Sequence, residues 1–511
     1  MRYSYDLRVR RPEKRRFMTL SSHKAFLSGP PQPLVSVRLQ PNADVFELYR
    51  RLAGPDRASV LLESGNGTDA TARYSFFGTD PYLTLTGHAQ EYRIETAGQT
   101  RIYSGSAFHA LQRTLADSMI ARPAGLPPFY GGAVGYLSYD LVRSFESLPT
   151  LAADNLHLPD LHLLFLDLVA AVDHRTGLLY LMYCPPLSRF QSEPREKLYR
   201  EGCDRLAELD ARLTSPVPSR TSPPWPGQAT FVPGQSRDAY KARVRRCQEY
   251  IAAGDIYQAN LSHRFTLDLG TAASNPETEG YAKELYGRLR RINPSPFAGF
   301  MRSNDLSLVS CSPERLVQLT GTQASTRPIA GTRPRGAGLE QDRRLRAELV
   351  ASPKERAEHV MLVDLERNDL GKVCRYGSVQ VDEFMTVEQY SHVSHLVSDV
   401  TGTLQPGTSP LDLVKAVFPG GTITGVPKLR CMEIIEELEP VRRGLYTGSL
   451  GYFSWSGDLD LNILIRTLVL TKNGWYLQVG AGIVADSDPD REYDETLAKA
   501  GAFFSILEAG N

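Results

Sequence analysis

Two pairs of carboxylates stand out by residue type and spacing. The stretch "ASPKERAEHVMLVDLERNDLG" reads as a helix capped by Ser352, with Pro353 in its first turn and Glu355 at the third position of a capping box. Glu355 and Glu358 then share a face. Near the C-terminus "SDPDREYDETLAKAGAFFSIL" repeats the device, with Asp488 as cap, Pro489 in the first turn, and Glu492 and Glu495 three apart. A structural reading makes Glu355 a cap and Glu495 half of an i,i+4 ion pair with Lys499. The chemical reading is a hard divalent cation such as Mg2+, which takes one or two carboxylates, keeps waters and lets an anionic substrate complete its octahedron. Carboxylate spacing alone leaves both open.

Groups suited to anions lie elsewhere. "STRPIAGTRPRG", residues 325–336, sets three arginines around Ala330 and Gly331. "FPGGTITGVPKLRCMEIIEEL" runs from a glycine-rich loop into a helix, so exposed amides, Thr422, Thr424 and Lys428 suit an anion. The G-x-x-x-x-G-K-[ST] spacing of a nucleotide loop is absent, and a structural turn fits equally well. "VGAGIVADSD" ends a strand in Gly480, Ala481 and Gly482, which permit close backbone approach to a ligand or form a bulge. Arg466 alternates with Asn462, Leu464 and Leu468, as an edge charge or as a bidentate carboxylate clamp. Together these residues describe a site for a small polyanion held by Arg, Lys, backbone amides and a metal.

The elements that must position them read as follows. From about 35 to 213, short β-rich runs surround one helical stretch near 107–118. Residues 213–236, dense in Pro, Ser, Thr and Gly, read as a surface linker. A helix then starts at the Ser236 cap and stops at Gly254, followed by the strand "IYQANLSHRFTL". The chain ends in an expected meander of three strands, near 446–454, 460–470 and 475–484. Long β-runs joined by hairpins favour an α+β architecture over a doubly wound sheet. The expected division is a basic, disordered extension over 1–28, an N-terminal region over 29–212, the linker over 213–236 and a catalytic domain over 237–511.

Bulk composition narrows the partners. The 511 residues carry 58 basic and 58 acidic side chains, so no long-range field favours nucleic acid or an anionic membrane. Six cysteines without C-x-x-C spacing argue against structural zinc or a secreted disulfide framework, and for a reducing cytoplasm. No run approaches the roughly 18 apolar residues of a membrane span. The opening segment lacks the apolar core of a signal peptide.

From about residue 237 onward the chain resembles the chorismate-utilising enzymes, the family of the anthranilate synthase and aminodeoxychorismate synthase large subunits, with isochorismate and salicylate synthases as relatives. Eight ordered strings carry the resemblance: "GDIYQANLSHRF", "CSPERL", "RPIAGTRPRG", "AEHVMLVDLERNDLGKV", "FPGGTITGVPKLRCMEIIEELEP", "YTGSLGYF", "LNILIRTL" and "GAGIVADSDPDREYDET". "LLESG", "ARYSFFG" and "YGGAVGYLSYD" extend it, less specifically, into the N-terminal region. It implies a two-lobed fold, large antiparallel sheets packed face to face with helices outside, and chorismate, a dicarboxylate, between them. By the same resemblance Glu358 and Glu495 ligate Mg2+ while Glu355 and Glu492 hold its waters. Tyr446, Arg466 and the amides around Gly480, Ala481 and Gly482 clamp a carboxylate, Gly331 and Thr332 complete the pocket, and Lys428 adds positive charge. Glu314 matches the general acid that protonates the departing ring hydroxyl, a task favouring a pKa raised by burial. His395 matches a histidine near the ring, although a core histidine bonded to backbone fits the residue as well.

Water-using relatives carry a lysine base where this chain has Gln258, whose neutral amide cannot deprotonate water. The resemblance therefore implies ammonia as nucleophile. Nothing in the chain resembles a glutaminase, so a separate glutamine amidotransferase is the expected source. The best-known aminodeoxychorismate synthases have a lysine nucleophile where Ala330 stands, which favours anthranilate formation. Against this, "QANLS", "SPER", "PFAGF", "PGGTITG" and "LNILIRTL" resemble a second group of aminodeoxychorismate synthases that tolerates alanine. Half of the family's tryptophan pocket also matches: its "LLES"-like segment is present around Glu63 and Ser64, whereas its "PYM"-like segment here reads Pro296, Phe297, Ala298. The expected activity is Mg2+-dependent amination of chorismate to 4-amino-4-deoxychorismate, towards 4-aminobenzoate and folate. Anthranilate with pyruvate is the alternative, and a non-catalytic chorismate sensor a third.

Overall fold

A computed structural model describes residues 18–19, 23–54, 57–65, 72–216, 230–268, 278–336, 338–389 and 393–508. Helices and strands combine in an α+β fold built on two large antiparallel sheets. In hydrogen-bonded order the first sheet runs Leu34–Leu39, Leu178–Tyr183, Leu168–Asp173, Tyr74–Thr79, Ser59–Glu63, Phe297–Ser303, Leu306–Ser312, Thr467–Thr471, Gly474–Ile483 and Gln258–Asp268. The second runs Ile329–Pro334, Val393–Thr403, Gln323–Thr326, Arg315–Thr320, Leu459–Asn462, Ser449–Ser454, Gly132–Leu137, Leu161–Leu166, Leu83–His88, Glu91–Thr96 and Gln99–Ser104.

The inner faces meet through apolar side chains, as the alternation of the strands requires. Phe76 of the first sheet packs on Tyr452 of the second, with ring centroids 5.4 Å apart. A Cβ added at Gly299 would stand 2.7 Å from Leu450 Cδ2, so the layers are in contact there. Strands from both sides of the 213–236 linker pair directly, Glu63 with Ala298 and Leu137 with Ser449. The main core likewise joins Leu61, Phe77, Val134 and Phe165 to Phe300, Val317, Leu459 and Leu477. A smaller core of Tyr240, Val244, Cys247, Ala259, Cys431 and Ala481 lies under the helix Arg237–Ala252.

The caps form where short-range chemistry puts them. Ser236 accepts from the Ala239 amide, Ser352 from the Glu355 amide, and Asp488 from the Asp490 and Arg491 amides. The Glu355 carboxylate, expected in a capping box, turns instead to Arg333 at 3.0 Å.

Three expectations are corrected. Besides the helix near 107–118, the N-terminal region holds the helices Val45–Leu52, Leu187–Ser192 and Arg195–Thr214. The basic extension is not frayed to residue 28: His23–Ser28 is a helix, and Phe26 is fully buried between Phe190 and Tyr199. Positions 1–17 and 20–22, and 217–229 of the linker, lie outside the described residues. The three-strand meander is in fact two hairpins in different sheets. Ser449–Ser454 pairs with Leu459–Asn462 in the second sheet, and Thr467–Thr471 with Gly474–Ile483 in the first. The chain crosses between layers at 463–466, ending at Arg466 with φ 50°, a region few non-glycine residues adopt. An apolar alternation continues through such a crossing and so conceals it.

Among the described residues no helix is long and apolar enough to cross a membrane. Since both sheets draw strands from both sides of the linker, urea unfolding should be one cooperative step, with tryptophan fluorescence and far-UV circular dichroism coinciding. Two resolved transitions would show that the halves fold separately.

Candidate functional site

The residues with the most pointed chemistry sit where the chain changes sheets. Glu314 lies between Leu306–Ser312 of the first sheet and Arg315–Thr320 of the second; Arg466 lies on the return crossing. The two crossings are stitched together. Ile463 N–H donates to Glu314 O at 3.0 Å, and Cys311 N–H donates to Arg466 O at 3.1 Å.

Glu314 is buried, and desolvation lifts its pKa to about 7. The Thr422 hydroxyl, donating to Oε1 at 2.7 Å, opposes that rise, as do the charges of Arg466 and Lys499 and the Ile329 amide. The carboxyl can therefore carry a proton at pH values where an exposed glutamate is ionised. Arg466 is half-buried, and its guanidinium makes no ion pair or hydrogen bond with any described residue. Burial lowers its pKa, with Cys311 and Glu314 acting in the opposite sense. A half-buried guanidinium with no partner in the fold is free to receive an anion.

His395, on Val393–Thr403, is buried and bonded to the Gly331 backbone; burial and the Arg466 charge bring its pKa down to about 4. It is a neutral imidazole. Gly331 forms the bulge of Ile329–Pro334, between Ala330, paired with Leu396, and Thr332, paired with His395. Its φ is 75°, and a Cβ there would stand 2.8 Å from Glu355 Oε2. Only glycine fits both demands.

The small residues of Gly474–Ile483 are explained by their neighbours. A Cβ at Gly480 would lie 2.6 Å from both Tyr446 Oη and Asn260 Oδ1, and one at Gly482 would lie 2.7 Å from Gln258 Nε2. Ala481, between them, points into the smaller core. Tyr446 donates to Asn260 Oδ1 at 3.5 Å, and burial raises its pKa. Lys499 bonds Gly480 O at 2.9 Å.

Gln258 Nε2 donates to Glu358 Oε1 at 3.0 Å. Burial raises the Glu358 pKa, and the Glu355 and Glu495 charges add to it. Burial also raises Glu492, with Glu495 adding, while Lys354 pulls both Glu358 and Glu492 back. The helices Pro353–Gly371 and Pro489–Glu508 thus bring their acids within electrostatic reach of one another. Glu495 also forms the 2.8 Å ion pair with Lys499 of the structural reading. Among the described residues no three acid, histidine or cysteine side chains converge closely enough to hold a metal ion as they stand. The donor set is nonetheless hard carboxylate oxygen, and the mutual repulsion at Glu358 is what a cation would relieve.

Other groups proposed for an anion are engaged within the fold. Lys428 bonds Asp369 and Val417 O. Arg327 bonds Glu388 and Glu383, Arg333 bonds Glu355, and Arg335 bonds Asp342. The sequence reading passed over Asn260, although it shares a strand face with Gln258 by period two. It also took Lys499 only as a surface partner of Glu495, since nothing local signals its bond to Gly480 O.

The chain belongs to the chorismate-binding enzyme family, whose pattern, described as chorismate binding enzyme, matches residues 58–505. Aminodeoxychorismate synthase component 1 of Bacillus subtilis is 42% identical over 465 residues, covering 90% of this chain and 94% of that protein. An anthranilate synthase component I-like protein of Synechocystis is 49% identical over 467 residues, 90% of this chain and 89% of that one. The crystal structure of anthranilate synthase component I from Streptococcus pneumoniae superposes with a TM-score of 0.71 at 32% identity, over 85% of this chain and 92% of that one.

Gly331→Ala should lower folding stability by about 1–3 kcal/mol, because the methyl meets both a left-handed backbone and the Glu355 carboxylate. Urea denaturation measures this, and an unchanged midpoint would show that the bulge accepts a side chain.

Proposed function

We propose that this enzyme aminates chorismate with ammonia to give 4-amino-4-deoxychorismate. The observation that carries this reading is a buried Glu314, its pKa raised to about 7, on one crossing, and on the crossing hydrogen-bonded to it an Arg466 guanidinium that pairs with no described residue. Arg466, Tyr446 and the backbone around Gly480, Ala481 and Gly482 hold one carboxylate of the ring acid, next to Gly331 and Thr332. Glu314 gives its proton to the departing ring hydroxyl as the C–O bond breaks, so water leaves rather than hydroxide. Neutral His395 lies beside the ring as a hydrogen-bonding wall that adds no charge. Lys428 contributes through Asp369, keeping the loop that carries Thr422 in place.

The chain has no base suited to water at Gln258, which supports ammonia as the nucleophile. Ammonia would come from a separate glutamine amidotransferase, and the "component" names of the relatives support a second polypeptide. Glu358 and Glu495, with Glu355 and Glu492 through waters, would hold Mg2+, which when bound supplies positive charge to a substrate carboxylate. Six cysteines, none in a disulfide, favour the cytoplasm. Balanced charge gives no reason to expect nucleic acid or membrane as a partner. The product would feed 4-aminobenzoate and folate synthesis. A second reading, anthranilate and pyruvate, is favoured by Ala330, a buried methyl where a lysine nucleophile would otherwise stand.

Purified protein with chorismate, Mg2+ and an ammonium salt should yield a product that an aminodeoxychorismate lyase converts to 4-aminobenzoate. Fluorescent anthranilate with stoichiometric pyruvate would establish the second reading instead. Because Glu314 must be protonated to act and its pKa is raised to about 7, kcat at constant free ammonia should fall as pH rises through about 7. Glu314→Gln should bind chorismate with turnover reduced at least 100-fold, about the low end of what general acid catalysis contributes; full turnover in that variant would remove Glu314 from its role.

A further inference from the structure

The strand Gln258–Asp268 has a gap along the edge away from Gly474–Ile483. Gly425–Val426 pairs with Gln258 and Ala259, and Thr230–Pro233 pairs with Phe265–Asp268, so residues 260–264 meet no strand on that side. A cavity of 130 Å³ lies there, with Gln235, His263, Arg264, Pro440, Val441 and Tyr476 in its walls. Cavities of about 150 Å³ accommodate a benzene ring. The cavity is distinct from the proposed chorismate clamp, since neither Tyr446 nor Arg466 lines it.

One wall carries an unpaired charge. Among the described residues five arginines are buried, and four hold a carboxylate within 2.9 Å: Arg38 with Asp210, Arg315 with Asp460, Arg327 with Glu388 and Arg443 with Glu439. Arg264 is the fifth. Its partners are three neutral oxygens, Gln478 Oε1 at 3.2 Å, Asn155 Oδ1 at 2.8 Å and Arg442 O. The carboxylates of Glu439, Asp140 and Asp154 act on it from beyond ion-pair distance, and each is paired with another arginine, Arg443, Arg143 and Arg442. Glu439 also lines the cavity, but it already accepts from the Ser262 amide, the Ser262 hydroxyl and twice from Arg443. A guanidinium has five N–H groups, so two of those on Arg264 remain to receive an anion.

Two further walls offer acceptors. Gln235 is half-buried, and neither its Oε1 nor its Nε2 has a partner among the described residues. His263 is 3% exposed; its Nε2 lies 2.8 Å from Thr496 Oγ1, whose own proton goes to Tyr493 O at 2.6 Å. The imidazole therefore donates through Nε2, and burial, bringing its pKa down to about 4, keeps the ring neutral. Its Nδ1, buried and without a partner among the described residues, is left as an acceptor. Pro440, Val441 and the Tyr476 ring supply an apolar side. A molecule that matches these walls has an apolar ring, a carboxylate for Arg264 and an N–H or O–H donor for Gln235 or His263. We propose that the cavity is a second binding site, for a small ring monocarboxylate that carries an amino or hydroxyl group. Both readings of the reaction lead to an aminobenzoate, a molecule of this class, and the site rests on neither.

Calorimetric titration of the full chain with 4-aminobenzoate tests this, in an Arg466→Met background so that the clamp takes no carboxylate. One saturable site should remain. The amide 4-aminobenzamide, which lacks the charge, should bind it about tenfold more weakly. Adding Gln235→Leu should weaken 4-aminobenzoate about fivefold. Val441→Phe, which fills the cavity from its apolar side, should do the same, so that the result does not hang on the folding of one variant. No saturable binding in Arg466→Met overturns the site. So does equal binding of the amide, which would show that no anion is read. Binding that both Gln235→Leu and Val441→Phe leave unchanged overturns it too, because the molecule then sits elsewhere.

Discussion

Keeping Glu314 out of water is the constraint on which the site depends. The Arg466 charge works against the rise in the Glu314 pKa, yet no ion pair joins the two side chains. Burial holds the pKa at about 7, so a proton is available near neutral pH.

The surrounding structure removes competing charge. Arg327, Arg333, Arg335 and Lys428 each have a carboxylate of their own, and buried Arg443 pairs with Glu439. Charges in a protein interior are normally neutralised in this way. Against that background Arg466 is informative because it departs from the pattern. The same network carries rigidity outward: Glu439 also accepts from Ser262, Gln478 links Ser262 to Arg264, and Arg264 reaches Asn155 of the N-terminal region.

Geometry follows from interlacing. A crossing between sheets exposes backbone and side chains to the space between layers, and two antiparallel crossings that hydrogen-bond each other fix what they carry. Glu314 and Arg466 are both such residues. The positive φ at Arg466 is a local cost of about 1–3 kcal/mol that the flanking strands impose.

Much of this was legible in the amino-acid order by itself. Ser236, Ser352 and Asp488 cap their helices because a side-chain oxygen reaches amides two or three residues on, and the glycines at 480 and 482 announced close approach. The family was legible too, because long ordered strings persist in the chain. What only the tertiary structure decided is which charge meets which. Arg333 finds Glu355 22 residues away, Gln258 finds Glu358 100 residues away, and Arg466 finds none among the described residues. The meander likewise split between two sheets without disturbing its alternation. Caps and strands are settled by neighbours within a few residues, whereas ion pairing and pKa are settled by desolvation and by charges brought close through folding, quantities that no local pattern contains.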